Sequence, residues 1–280
     1  MITIPISVLI VTYNRNKYLK ECLASVFSQN YLPNEIVIID NAKNVQTKKL
    51  VNCYRNKGIN ILYYGANSNN VPRARNKATR VARNNFVAFL DDDCIASKNW
   101  LKIGFIVLKK DSHFFYYGKN MNIDNENKIS MYEYKKTEQF FSQFRRETGK
   151  MITSFLLDTK NCVFDKRILL EKKVKFDEQF QRLEDIDMSY ALAQKNISIQ
   201  YIAEMKVKHH YKKEIIANMY NYFQIGLYSA KLREKWAKSQ IFPFLRKKTV
   251  PFPLMFVDTE QIVYEFFSWI FSYLGYFFPI

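Results

Sequence analysis

Three acids stand side by side in FVAFLDDDCIASKNW, residues 86–100. The apolar run Phe86 to Leu90 ends in Asp91, Asp92 and Asp93. Adjacent carboxylates repel one another, and a cation between them relieves the repulsion. In extended backbone, residues i and i+2 point to one side, so Asp91 and Asp93 can converge on one ion. Oxygen ligands of this kind suit Mg2+ or Mn2+. A second acidic group, Glu184-Asp185 in LEDIDM, opens a stretch with helical patterning. The helix dipole favours acids there, and it favours the ionised form that a general base needs. Asp185 or Glu184 could therefore take a proton from a hydroxyl. Two of the three histidines, His209 and His210, are adjacent in VKHHY; one could complete a metal shell or contact a diphosphate. Each group also has a plain structural reading. Ser97 or Asp93 could cap a helix over 98–109, and the acids of 184–187 could serve only as first-turn charges.

Chemistry of this kind needs a frame that gathers the groups. Ile6–Thr12 is a continuous β-branched run, the pattern of a central strand covered on both faces. Residues 16–29 place Leu19, Leu23, Val26 and Phe27 on one helical face. Glu35–Asp40 reads as a second strand, 43–57 as a helix and Ile59–Tyr64 as a third strand. A basic helix over 72–84, with Pro72 at its start, precedes a fourth strand at Phe86–Leu90. This alternation predicts an α/β fold with a doubly wound, mostly parallel sheet. Ligands in such sheets bind at the carboxyl ends of the strands. Thr12-Tyr13-Asn14-Arg15, Asp40-Asn41 and the acidic triplet all fall at such ends. A base or sugar could stack near Tyr13, and Asp40 could accept from a base imide N–H. Asn70, Arg73, Arg75 and Asn76 open the basic helix, where guanidinium groups and the helix N-terminus suit phosphate. Beyond residue 100 the alternation weakens. Helical patterning is expected over 136–150, from Lys166, over 185–196 and over Tyr211–Lys238. Short strands are expected at Asn161–Phe164, Ile199–Ile202 and Met205–Lys208.

The chain has 280 residues, 48% of them hydrophobic, which supports a sizeable core and argues against disorder. Lys and Arg number 43 against 26 Asp and Glu, giving a net charge of +17. That balance suits an anionic partner, whether nucleic acid, a phosphorylated small molecule or a membrane surface. Cys22, Cys53, Cys94 and Cys162 are scattered without zinc spacing, which suits a reducing compartment. The opening MITIPISVLIVTYN reads as a strand and not as a leader peptide. A non-catalytic basic protein that binds nucleic acid or membrane would explain the charge but not the acids at 91–93 and 184–187. A sugar nucleotidyltransferase would carry a glycine-rich loop after the first strand, and VTYNRNKY has no glycine.

Taken in order, SVLIVTYNR, EIVIIDN, RARN, FLDDDC, NCVFDKRIL, VKFDEQFQRLEDIDMSYAL and VKHHY resemble the inverting family 2 glycosyltransferases of GT-A fold, over roughly residues 4–211. The resemblance implies that the strand-end acids form the DXD motif. Asp93 would ligate Mn2+ or Mg2+ directly, with Asp91 and Asp92 at the ribose or the ion's shell and His209 as a further ligand. Asp40 would read the base in a pocket lined by Thr12, Tyr13, Asn14 and Arg15, with Arg73 and Arg75 near the phosphates. Asp185 would be the catalytic base, with Glu184 beside it at the acceptor. The donor would be a nucleotide sugar, UDP-linked by family default. The acceptor would be a glycan or lipid-linked glycan of cell-surface polysaccharide, lipopolysaccharide or glycoconjugate synthesis, made at the cytoplasmic face of the membrane. No nucleic-acid partner is implied. The chain departs from the family pattern in three places: IDNAKNVQT has no second Asp, Asn67 to Asn70 replaces an Asn-x-Gly, and FQRLEDID has no glycine.

These expectations divide the chain into a catalytic domain at 1–211, with a nucleotide-sugar half at 1–100 and an acceptor half at 101–211, and a helical region at 212–280. The last region sets Lys231, Arg233, Lys235, Lys238 and Arg246-Lys247-Lys248 among aromatic residues. From Ile262 to Ile280 the one charge is Glu265. The uncharged part, Phe266 to Ile280, is shorter than the ~20 residues a spanning helix needs. A peripheral membrane contact through 212–280 is expected, with packing on the catalytic domain or another subunit as the other reading.

Overall fold

The computed structural model describes residues 2–55, 57–239 and 259–277, and the basic run Arg246-Lys247-Lys248 lies outside them. The first hundred residues alternate as expected: β1 (Ile2–Thr12), α1 (Asn16–Phe27), β2 (Tyr31–Asp40), α2 (Val45–Asn52), β3 (Asn60–Gly65), α3 (Val71–Val81) and β4 (Phe86–Leu90). The four strands are parallel, in the order β3-β2-β1-β4. Their continuous apolar runs reflect two covered faces. Leu9, Val37, Val87 and Phe89 feed one core, while Ile6, Val8, Ile10, Ile36, Ile38, Ala88 and Leu90 feed the other. Alternate residues of a strand point to opposite faces, so one run builds both layers.

The second half continues as β5 (Cys94–Ala96), α4 (Trp100–Lys110), β6 (Phe115–Asn122), α5 (Lys128–Ser142), β7 (Arg145–Thr148), β8 (Met151–Ser154), β9 (Asn161–Asp165), α6 (Lys166–Glu171), α7 (Glu184–Gln194) and β10 (Ile199–His209). The sheet extends as β4-β9-β6-β10-β8-β7, with β5 paired antiparallel to β10. Strand β9 is antiparallel to both its neighbours, which makes the sheet mixed. The helix expected over 136–150 begins earlier, where Asn127 accepts from Ser130 N, and residues 145–154 form the β7–β8 hairpin instead. Gly149, at φ +63°, supplies the left-handed turn of that hairpin. Strand β6 was not expected. Its sequence FYYGKNMN mixes apolar and polar residues, and its glycine has a packing cause. A Cβ on Gly118 would lie 1.8 Å from Met205 O, where β10 bulges across β6 between Ile202 and Lys206. The two short strands expected at 199–208 are therefore one bulged strand.

Helices α8 (Ile215–Trp236) and α9 (Thr259–Phe277) complete the described chain. Leu232 and Trp236 of α8 belong to the main core. Trp236 stacks on Tyr190 at 5.3 Å, and its Nε1 donates to Asp187 Oδ1 at 2.8 Å. None of the described helices is long and apolar enough to cross a membrane.

Candidate active site

The parallel pairing of β1 with β4 brings the ends of both strands together. Thr12 Oγ1 donates to Asp92 Oδ2 at 2.6 Å. Asn14 adopts φ +54°, and Asn44 Nδ2 donates to its Oδ1 at 2.8 Å. The next residue, Arg15, turns its guanidinium to Asp93 Oδ2 at 2.7 Å and Asp92 Oδ1 at 3.2 Å. Tyr13 remains exposed. On the other side, the β5–β10 pairing sets His209 opposite Cys94, and His210 N donates to Asp93 O at 3.0 Å. His209 Nε2 lies 3.3 Å from Asp93 Oδ1. Ligand atoms of Asp93, Cys94 and His209 all lie within 4.8 Å of one another.

This cluster fits a divalent cation. Asp93 Oδ1 and His209 Nδ1 are buried without a hydrogen-bond partner, and native proteins rarely leave such groups unsatisfied. Asp93 Oδ1 and His209 Nε2, 3.3 Å apart, can share one ion, and the unpartnered imidazole nitrogen is the other one, Nδ1. Burial and the nearby acids push the Cys94 thiol far up. Burial and repulsion from Asp93 push Asp92 up to about 7, against Arg15 and Thr12. Burial acts on Asp93 in the same direction, yet the His209 imidazole and Arg15 hold it well below the usual carboxylate range. The triplet is not spent on capping: α4 starts at Trp100, and its N-cap residue Asn99 makes no side-chain cap. His210 faces elsewhere, with Nε2 2.8 Å from Glu21 Oε2 and its ring 4.6 Å from Tyr18.

The two arginines of α3 part company. Arg73, with a side chain 60% exposed, pairs with Glu178 at 2.8 Å. Arg75, only 4% exposed, donates to Asp91 Oδ1 at 3.0 Å and to Glu184 Oε1. Its guanidinium carbon lies 5.9 and 5.8 Å from the rings of Phe89 and Phe176. Arg75 therefore ties the acids after β4 to the acids opening α7, with both terminal nitrogens on carboxylates. Asp185 is half-buried beside Glu184, with Oδ1 accepting from Ile186 N at 2.8 Å. Burial first, then the Glu184 charge, push Asp185 up to about 7, against Lys160 and Arg75. The helix dipole alone would have kept it fully ionised; burial and a neighbouring acid outweigh that effect.

Asp40 is fully buried. Its Oδ1 accepts from Ala42 N at 3.1 Å, and its Oδ2 from Asn44 N at 2.8 Å and Tyr63 OH at 2.7 Å. Asp40 thus shapes the loop beside Tyr13, and one of a carboxylate's roughly four acceptor positions remains. Three residues at the site had no sequence signal of their own. Lys160 Nζ pairs with Asp158 at 2.8 Å, Asn120 Nδ2 donates to the other oxygen of Asp158 at 2.6 Å, and Lys160 O accepts from Asp91 N at 3.2 Å. The one hint is LDTKN, which places a charged pair at the entry to an apolar strand.

Known proteins resemble this chain in sequence and in fold. An uncharacterised glycosyltransferase of Methanocaldococcus jannaschii is 25% identical over 252 residues, 80% of this chain and 86% of that protein. The poly(ribitol-phosphate) β-N-acetylglucosaminyltransferase TarS of Staphylococcus aureus is 35% identical over 99 residues, 34% of this chain and 17% of TarS. The structure of TarS 1–349 with UDP-GlcNAc superposes with a TM-score of 0.57 at 18% identity, covering 95% of this chain and 79% of that one. The mannosyltransferase PcManGT of Pyrobaculum calidifontis, solved with GDP-Man and Mn2+, superposes with a TM-score of 0.68 at 14% identity, covering 94% and 73%. Both share the GT-A fold. Residues 7–171, more than half of the chain, match glycosyl transferase family 2, and the chain belongs to that family as a glycosyltransferase enzyme.

Proposed function

We propose that this enzyme moves a sugar from a nucleoside-diphosphate sugar to an acceptor hydroxyl, with inversion and with the help of a divalent metal. The observation that carries the reading is the buried approach of Asp93 Oδ1 to His209 Nε2 at 3.3 Å, linked through Asp91, Arg75 and Glu184 to a base-like Asp185. Asp93 and His209 would hold Mn2+ or Mg2+, which would neutralise charge on the departing diphosphate; Asp91 and Asp92 take the ribose or the ion's shell. PcManGT was solved with both GDP-Man and Mn2+, which supports this assignment. Thr12, Tyr13, Asn14, Arg15 and Asp40 line the nucleotide pocket, and Arg73 is the guanidinium of α3 that a phosphate can reach after it leaves Glu178.

Asp185 takes the proton of the acceptor hydroxyl. A pKa near neutrality suits that task, because the group is both available as a base and strong enough to act. The acceptor oxygen bonds to the anomeric carbon from the face opposite the diphosphate. The anomeric C–O bond breaks, its electron pair leaves with the diphosphate, and the configuration inverts. TarS and its UDP-GlcNAc support a UDP-linked donor. TarS acts on poly(ribitol-phosphate), which supports an acceptor in cell-surface polymer synthesis. In this reading the acceptor is a glycan or lipid-linked glycan, and residues 212–280 make a peripheral contact at the cytoplasmic face of the membrane.

The test is a panel of UDP-, GDP- and dTDP-sugars with Mn2+, reading released nucleoside diphosphate, run on the wild type and on Asp185→Asn. One donor should stand out. The variant should keep its nucleoside diphosphate affinity and lose turnover by about 10²-fold or more. Normal turnover in the variant would assign the base elsewhere.

A further inference from the structure

Among the described residues, helix α9 is covered on one side only. Its inner side lies on α8 at backbone contact: a Cβ on Gly226 would lie 2.0 Å from Ser272 O, and one on Gly275 would lie 1.9 Å from Phe223 O. The same side reaches α5. Tyr222 of α8 and Tyr264 of α9 both donate to Glu133 Oε1 at 2.5 Å, and Lys136 pairs with Glu265 at 2.7 Å. These contacts fix the rotation of α9 about its own axis relative to the catalytic sheet.

Among the described residues, the outer side of α9 is exposed. Phe266, Phe267, Trp269, Tyr273, Leu274 and Phe277 are each between 42% and 58% exposed. At about 100° per residue, the outward positions from Ile262 to Phe277 span an arc of roughly 160° without a charged residue. Val263 and Phe267 also line an apolar groove of about 640 Å³ between α5, α8 and α9, with Ile129, Tyr132 and Met219. The groove is joined to the catalytic rim through the chain. Helix α8 starts six residues after His209, and α5 starts six residues after Asn122, the partner of His209 in the sheet. A monomer seldom leaves a contiguous apolar surface of this kind uncovered.

We propose that this arc docks in the plane of an anionic lipid bilayer. The proposal deepens the peripheral membrane contact named above and assigns it to one face of one helix. Charge selects the occupant. The chain carries +17, and residues 212–250 hold nine Lys and Arg against two Glu. Two copies meeting through α9 would bring two such charges together, whereas an anionic surface attracts them. Aromatic composition agrees, since Trp and Tyr favour the bilayer–water boundary. With no described helix able to span, the arc rests on the bilayer as an amphipathic helix does. The groove then faces the lipid, where the apolar part of a lipid-borne acceptor could enter beside the site.

Trp269 supplies the readout. It is the one exposed indole of the three, because Trp100 and Trp236 are buried. The wild type should float with phosphatidylcholine vesicles containing 30% phosphatidylglycerol and not with pure phosphatidylcholine, and brominated lipid should quench its fluorescence. Trp269→Phe should float but lose the quenching. Phe266→Ser/Phe267→Ser/Leu274→Ser, which changes only exposed positions, should cut the bound fraction at least tenfold while far-UV circular dichroism stays unchanged. Equal flotation of the triple variant, or no flotation of the wild type, would overturn the proposal. So would a dimer by light scattering that the triple variant turns to monomer, because a second copy would then own the face. Mn2+-dependent UDP binding, measured by calorimetry on the same samples, reports separately on the glycosyl-transfer reading.

Discussion

Arg75 offers the sharpest test of how the site is held together. Arg75→Met removes the charge and keeps most of the volume. It leaves Asp91 and Glu184, with side chains 29% and 15% exposed, facing each other without a counter-ion. Breaking a buried pair by removing one partner costs ~3–5 kcal/mol. The partial exposure of the two acids places this case at the lower end, about 3 kcal/mol. A domain of this size shifts by about 2–4 °C per kcal/mol, so thermal unfolding should fall by about 6–12 °C. A second effect is independent of stability. The Arg75 cation opposes the rise of the Asp185 pKa, so its loss should move the ascending limb of the pH–rate profile to higher pH. Differential scanning fluorimetry and a nucleoside diphosphate release assay across pH read the two effects. Arg75→Met/Glu184→Gln should recover part of the melting temperature, because one of the stranded charges is gone. A fall under about 2 °C in Arg75→Met, together with an unmoved pH limb, would refute the staple.

The remaining expectations concern the base, the metal and the helix crossing. Burial and Glu184 raise Asp185 to about 7, so its base form grows as pH rises through that value; kcat/KM should climb about tenfold per pH unit below it and level off above. Lys160→Met should push that limb upward, and a flat profile between pH 5.5 and 8.5 would count against Asp185. Asp93→Ala should abolish Mn2+-dependent binding of nucleoside diphosphate by calorimetry, and unchanged affinity would remove Asp93 from the metal site. Gly275→Val would drive a side chain into Phe223 O, which is backbone and cannot rotate away; α9 should loosen at a cost of about 1–3 kcal/mol, seen as faster proteolysis within 259–277. Unchanged proteolysis would mean that the crossing is not tight.

What could be read in the sequence follows from what each segment buries. Strands β1, β2 and β4 are covered on both faces and carry unbroken apolar runs, so length and composition sufficed. Strand β6 was hidden because Lys119, Asn120 and Asn122 punctuate it and Gly118 answers to a distant bulge. In the site, the grouping of the acids was legible but their partners were not. PRARN looks like a solvated basic face, yet residues two apart on a helix diverge by about 200°, which leaves Arg73 in solvent and puts Arg75 between two carboxylates. Lys160 and Asp158 are two residues apart in an unremarkable stretch, and Asn120 reaches them from β6, which the sheet sets beside β9.

The turn before Asp185 shows the same limit from the other side. FQRLEDID has no glycine, which leaves no sign of a special backbone there. Leu183 nevertheless takes φ +59°, the left-handed region, at the start of α7. For a residue with a branched side chain that conformation costs about 1–2 kcal/mol, and such strain survives only where the surroundings over-determine it. Here they do. Leu183 O accepts from Asp187 N at 2.8 Å, Ile186 is buried in the main core, Arg75 grips Glu184, and Asp187 is held by Trp236 and Lys235 of α8. The acids of LEDID are thus aimed by the side chains around the turn and not by the residue within it. One of those supports comes from α8, beyond the boundary at residue 211. The last turn of α8 therefore supports the start of α7, and the orientation of Asp185 depends on packing that lies fifty residues further along the chain.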